Sequence, residues 1–293
     1  MKSFFLLAAV ALLPFVSFAQ KNYPPEMPGA EVKTYKVADG DVELKIWIFK
    51  PEGWKASDSR PAAVFFFGGG WNGGSPQQFE QHCKRLAKRG MVAMTADYRV
   101  RGRHETLANI CVEDARDAVR WIRVHTEELG VNPERLLGGG GSAGGHIAAC
   151  LGTIAFDDQG TDSSPNATAL FNPAAVLAPY KGKNYWKTDR SAEMRERMGV
   201  DPVELSPIHH VHADAAPSII FHGTADDKVP FASAAAYAEA MKEAGARCEL
   251  VSYEGEGHGF FNYGRGENVV FEDTMKELDA FLVSLGWLDA VEK

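Results

Sequence analysis

The chain has 293 residues, 45% of them hydrophobic and 11% aromatic, with a formal net charge of −8. That composition is ordinary for a globular protein and excludes a disordered, collagen-like or repeat-built chain. The acidic balance argues against a general nucleic-acid binder, which needs a basic surface to displace counterions.

Residues 1–19, "MKSFFLLAAVALLPFVSFA", carry Lys2, an apolar run from Phe4 to Phe15 and the small-x-small Ser17-Phe18-Ala19. This is the pattern of a cleaved export signal, and the run is shorter than the roughly 20 residues that span a bilayer. A secreted or periplasmic protein without stable membrane insertion is expected. Residues 20–39, with the proline-rich "KNYPPEMPGA", read as an extended segment ahead of a single domain at 40–290.

"VELKIWIFKP" alternates and reads as a strand, and "PAAVFFFGGGW" and "MVAMTADYRV" as strands buried on both faces. "FEQHCKRLAKRG" and "NICVEDARDAVRWIRVHTEELG" have helical spacing, each closed by glycine. "NPERLLGGGGSAGGHIAACLG" reads as a turn, a very short strand, glycines, and a helix from near Ser142. "ALFNPAAV", "PSIIFHG" and "CELVSYEG" read as strands, and "PFASAAAYAEAMKEAG" and "NVVFEDTMKELDAFLVSLGW" as helices. Strands alternating with helices imply a mainly parallel sheet covered on both faces. Residues 178–212 break the rhythm and read as a small insertion over the sheet. Export permits disulfides, and a Cys83–Cys111 bridge is conceivable; burial as small apolar groups is the alternative for these, Cys150 and Cys248.

Gly140-Gly141-Ser142-Ala143-Gly144 is a GxSxG match between a strand and a helix. In a nucleophile elbow, small neighbours let the chain reverse sharply and lift the hydroxyl above the sheet edge. A P-loop is excluded because no lysine precedes Ser142, and a dinucleotide fingerprint fits poorly because Asp162, about 20 positions on, lies in a polar loop. Such a serine needs a base and an orienting acid. His258 in "GEGHGF" and Asp226 in "FHGTADDKVP" each follow a strand, and Ser142, Asp226, His258 is the triad order of α/β-hydrolases. Asp227 is the alternative acid. The remaining histidines include "HHVH" at 209–212, which fits a solvated loop better than a metal site, so no metal and no cofactor are expected. Backbone N–H groups for an oxyanion hole are available at Ala143 and in the glycine turn at Gly69 and Gly70.

Together these residues resemble the α/β-hydrolase superfamily, in particular the bacterial esterase/lipase branch related to hormone-sensitive lipase and the acetyl esterases. "GGGW", "DYRV" at 97–100, "GGSAGGH" and "HGTADDKVP" are similar to its landmarks, over roughly residues 40–288. The resemblance implies an α/β-hydrolase fold, Ser142 as nucleophile, Asp226 as acid, His258 as base, and Gly69, Gly70 and Ala143 as the oxyanion hole. It gives Asp97 and Tyr98 structural roles. One departure is Phe67, where the family's HGGG-type loop usually begins with histidine; loop rigidity is the property this puts in question.

The expected activity is hydrolysis of short-chain esters, acetyl first, of a small-molecule or carbohydrate alcohol such as acetylated xylan. Trp71, Tyr185 and Trp186 are the candidate substrate-binding aromatics. A peptidase resembling the prolyl oligopeptidase group shares the triad order but usually carries a large N-terminal propeller, for which the stretch before residue 40 leaves no room. A catalytically silent binding protein of this fold typically lacks a triad member, whereas all three are present here.

Overall fold

A computed structural model of the chain describes residues 23–158, 160–186 and 190–290; the export-signal pattern at 1–19 lies outside them. Eight strands form one sheet in the order β1-β2-β4-β3-β5-β6-β7-β8: β1 Glu31–Ala38, β2 Val42–Phe49, β3 Arg60–Phe66, β4 Val92–Ala96, β5 Val131–Gly141, β6 Ala167–Phe171, β7 Ser218–Gly223 and β8 Cys248–Tyr253. The first two strands pair antiparallel with each other, and β2 with β4; every other pairing is parallel. The helices are α1 Glu80–Lys88, α2 Arg101–His104, α3 Ala108–Val124, α4 Thr126–Leu129, α5 Ala143–Thr153, α6 Ser191–Met198, α7 Phe231–Glu243 and α8 Val269–Ser284. This is the α/β-hydrolase fold.

Strand β3 shows how the period of two fills both faces. Ala62, Val64 and Phe66 enter the core shared with α3, α5 and α7, while Ala63 and Phe65 enter the one shared with α1 and α8. That division rules out the conceivable Cys83–Cys111 bridge. Cys83 lies in one core and Cys111 in the other, with the sheet between them, and all four cysteines are free.

Three other expectations change. Residues 31–38, read as part of the extended segment, form an edge strand of the sheet, in which only Tyr35 is buried. The strand before Ser142 is long rather than very short, running through Gly138–Gly141. Glycine has little strand propensity, but β3 and β6 pair with it on both sides, from Phe66 opposite Gly140 to Phe171 opposite Gly141. The single long helix after β4 is two, α3 and α4, parted at His125.

Two packing features fix what stands at the C-terminal edge of the parallel strands. Beyond β4, the Tyr98 hydroxyl donates to the Phe67 carbonyl at 2.6 Å, and the two rings stack with centroids 4.1 Å apart. Asp97 Oδ1 accepts the Tyr98 N–H, and the Arg99 guanidinium lies against the buried Asp114 carboxylate with contacts of 2.8 and 2.9 Å. The segment that braces Phe67 is therefore itself pinned by charge-assisted bonds. Phe67 holds the loop after β3 by ring stacking and by its carbonyl.

On the opposite face, His82 is fully buried against Phe65, Phe79, Phe171, Phe261 and Phe271, and neither ring nitrogen has a partner among the described residues. Burial pushes its pKa down to about 3. The unfolded chain, with a histidine pKa of about 6.5, therefore binds the proton first as the pH falls.

Two results are expected from urea unfolding. Wild type loses stability as the pH drops from about 6.5 toward 3, His82 contributing up to about 1.4 kcal/mol per pH unit, and His82→Leu flattens this slope. Equal slopes in the two proteins contradict a neutral buried His82. Tyr98→Phe keeps the stack but removes the bond to Phe67, and loses about 1–3 kcal/mol at neutral pH.

Candidate active site

Ser142 stands at the end of β5 with φ 54° and ψ −115°, a conformation that side chains rarely adopt, and α5 starts at the next residue. The reversal brings helix and strand into backbone contact. A Cβ added at Gly140 would fall 2.4 Å from the Gly144 carbonyl group, and one at Gly144 would fall 2.0 Å from the Phe66 oxygen. The glycines around the serine are therefore required by close approach as well as by the turn.

The structure brings the three sequence-predicted residues together. His258 Nε2 lies 3.0 Å from Ser142 Oγ, and His258 Nδ1 lies 2.7 Å from Asp226 Oδ2. The hydroxyl donates to Nε2 when Nδ1–H donates to the carboxylate. Asp227, the alternative acid, points away and pairs with Lys228 at the surface. Asp226 sits in a cap of donors: the N–H groups of Lys228 and Val229 reach Oδ1 at 2.8 and 2.9 Å, and His222 Nε2 lies 3.3 Å from Oδ2. Burial acts to raise its pKa, but the bonds from His222, His258 and Val229 outweigh that and hold the carboxyl well below the usual carboxylate range. It is therefore ionised near neutral pH.

His222 was not singled out from the sequence, and neither was Asn172. Asn172 follows β6 at φ 36°, and its Oδ1 accepts the Gly259 N–H at 2.9 Å, fixing the turn that carries His258. Gln78 and Asn262 form a second tie. Gln78 Oε1 accepts the Gly68 N–H at 2.6 Å, and its Nε2 donates to Asn262 Oδ1 at 2.9 Å, linking the loop after β3 to the loop after β8.

That bond engages the Gly68 N–H, whereas among the described hydrogen bonds none uses the N–H of Gly69, Gly70 or Ala143. Those groups border the cleft around Ser142, which has a volume of about 480 Å³. Of the three candidate aromatics, Trp71 and Trp186 line this cleft and Tyr185 does not. Tyr185 is half-buried at the edge of the core with Lys183 Nζ over its ring, on a stretch of irregular backbone where neighbouring side chains take different directions. The indole N–H of Trp71 is directed inward, to His146 Nδ1 at 3.2 Å, and His146 Nε2 lies 2.7 Å from the Leu205 carbonyl. Burial holds His146 down to about 4, so it is neutral near pH 7 and accepts the indole proton. The loop after β3 is thereby tied to α5 and to the segment before the 3₁₀ turn Pro207–His210. In that turn His209 and His210 face the carbonyls of Pro179 and Val203, and among the described residues no three potential metal ligands gather.

The chain matches the BD-FAE family over residues 47–241 and the dienelactone hydrolase family over residues 201–290. It is 30% identical over 230 residues to esterase LipC of Mycobacterium tuberculosis, covering 71% of this chain and 56% of LipC. Carboxylesterase NlhH of the same organism is 26% identical over 265 residues, covering 83% of this chain and 80% of NlhH. The chain thus spans about half the length of several of the curated relatives it matches. Among solved structures, the esterase Est2 of Thermogutta terrifontis with propionate bound is 50% identical, covers 92% of this chain and 100% of its own, and superposes with a TM-score of 0.86. By fold, by site geometry and by these matches, the chain belongs to the BD-FAE family of α/β-hydrolase esterases.

Proposed function

We propose that the protein is a serine carboxylesterase that hydrolyses short-chain acyl esters through an acyl-enzyme on Ser142. The observation that carries this is the hydrogen-bonded chain Ser142–His258–Asp226, with contacts of 3.0 and 2.7 Å. His258 takes the serine proton as Oγ attacks the ester carbonyl. The N–H groups of Gly69, Gly70 and Ala143 receive the developing oxyanion, and His258 returns the proton to the departing alcohol. Water, activated by the same imidazole, then releases the acid and restores the serine. Asp226 orients the ring and stabilises the imidazolium without taking up a proton, in keeping with its low pKa.

Two features support a short acyl group, acetyl first. Trp71 and Trp186 line the cleft, and Est2 of T. terrifontis is known with propionate and with butyrate bound. The open cleft suits an alcohol as large as a sugar, so acetylated plant polysaccharide such as xylan is part of this reading. Export through residues 1–19 is consistent with such a substrate.

Hydrolysis of nitrophenyl esters from acetyl to long-chain tests the reading. Activity is expected to peak at two to four carbons, and Ser142→Ala and His258→Ala are each expected to lower kcat by on the order of 10⁴ or more with the fold retained. Full activity in Ser142→Ala, or a peak at long chains, contradicts it. Expressed with its leader in an exporting bacterium, the protein is expected to have a mature N-terminus following Ala19; a retained Met1 contradicts export by cleavage.

A further inference from the structure

The rim of the cleft differs in sign of charge from the chain as a whole. The chain carries a formal net charge of −8, yet among the described residues those lining the Ser142 cleft include Arg190, Arg197, Lys228 and Arg265 and no aspartate or glutamate. Two carboxylates answer these cations from outside the lining. Glu193 is shared, bound by the Arg190 guanidinium at 2.6 and 2.8 Å and by Arg197 Nε at 3.2 Å. Asp227 pairs with Lys228 at 3.2 Å, both largely exposed, an arrangement that solvent weakens. Arg265 meets no carboxylate among the described residues; its Nη1 donates to the His258 carbonyl at 3.2 Å. Arg197 turns its Nη1 toward the oxyanion-side loop, 3.7 Å from where a Cβ on Gly70 would be. Counting the Asp226 carboxylate behind His258 with Glu193 and Asp227, the four described cations exceed the carboxylates beside them by one positive charge, around a concave and partly apolar site where the field is concentrated.

Resting on the esterase reading above, we infer that the natural substrate is an ester whose alcohol part bears a carboxylate, of the hydroxy-acid or uronic-acid class. The alcohol side is specified by the chemistry. The departing oxygen must lie next to His258 Nε2 to be protonated, and Arg265 and Lys228 are carried by the loops that hold His258 and Asp226. A carboxylate a few bonds beyond that oxygen comes within reach of a guanidinium that can bind it through two N–H groups. After hydrolysis the product alcohol keeps its charge and the released acid gains one. Weak, solvent-exposed cations favour capture of the ester without trapping the product.

The test is a matched pair, 3-acetoxybenzoate and 3-acetoxybenzamide, each rate normalised to that ester's hydrolysis by hydroxide. For wild type at low salt, kcat/KM is expected to favour the carboxylate by about tenfold, through KM, and high salt is expected to erase most of the preference. Arg197→Gln and Arg265→Gln should each bring the ratio toward one. The ratio is the readout because Arg265 also holds the His258 carbonyl, and a general loss of activity cancels from it. A wild-type ratio of one or below, or a preference unchanged by salt and by both substitutions, overturns the inference. Failure of wild type on both esters overturns instead the esterase reading on which it rests.

Discussion

The site depends on one constraint, the reversal of the chain at Ser142. A buried parallel strand must end, turn through a positive φ and become a helix while both stay in contact with the strand beside them. Holding a side-chain-bearing residue in such a conformation costs about 1–3 kcal/mol, and the surroundings must over-determine it. Here they do: the Ser142 N–H is bound by the Phe171 carbonyl at 2.9 Å, its carbonyl receives the His146 N–H at 2.9 Å, and Gly140, Gly144 and Phe66 are in backbone contact. The same helix start that relieves the turn leaves the Ala143 N–H free of an intrahelical partner, at the positive end of the α5 dipole. Strain, presentation of the hydroxyl and an N–H without an intrahelical partner thus share one local cause.

Around that point the protein builds rigidity from polar groups buried in pairs. Asp226 is ionised because donors from its own loop and from His222 and His258 offset its desolvation. Asn172 fixes the His258 turn, Gln78 links two loops, and Tyr98 and His146 hold the loop after β3 from either flank. With phenylalanine at position 67, this framework fixes the backbone direction of that loop without a polar side chain there. Preorganised donors matter because a donor that must reorient during the reaction stabilises the transition state less.

Much of this was legible in the sequence where a residue's role follows from its neighbours in the chain. Ser142, Asp226 and His258 each sit in a short motif after a strand, and β3 declares its burial by a continuous apolar run. What was not legible depends on meetings between distant segments. Gln78 and Asn262 are 184 positions apart, and nothing in either stretch names the other. Four glycines in succession look like a loop until neighbouring strands pair with them, and Cys83 and Cys111 look bridgeable until the sheet stands between them. Edge strand β1 buries little beyond Tyr35, so its apolar signal is weak. Tyr185 and Trp186 are adjacent, and only the folded insertion shows which of them faces the cleft.

The central claim is that Ser142 is the nucleophile. Est2 of T. terrifontis is phosphorylated by paraoxon, and the same reagent can report on this chain. Mass spectrometry of the paraoxon-treated protein, intact and after peptide mapping, is the most direct measurement. The account predicts one diethylphosphoryl group, on the peptide that contains Ser142, with activity lost in proportion. A label on another residue, or an active protein that takes up none, would contradict it.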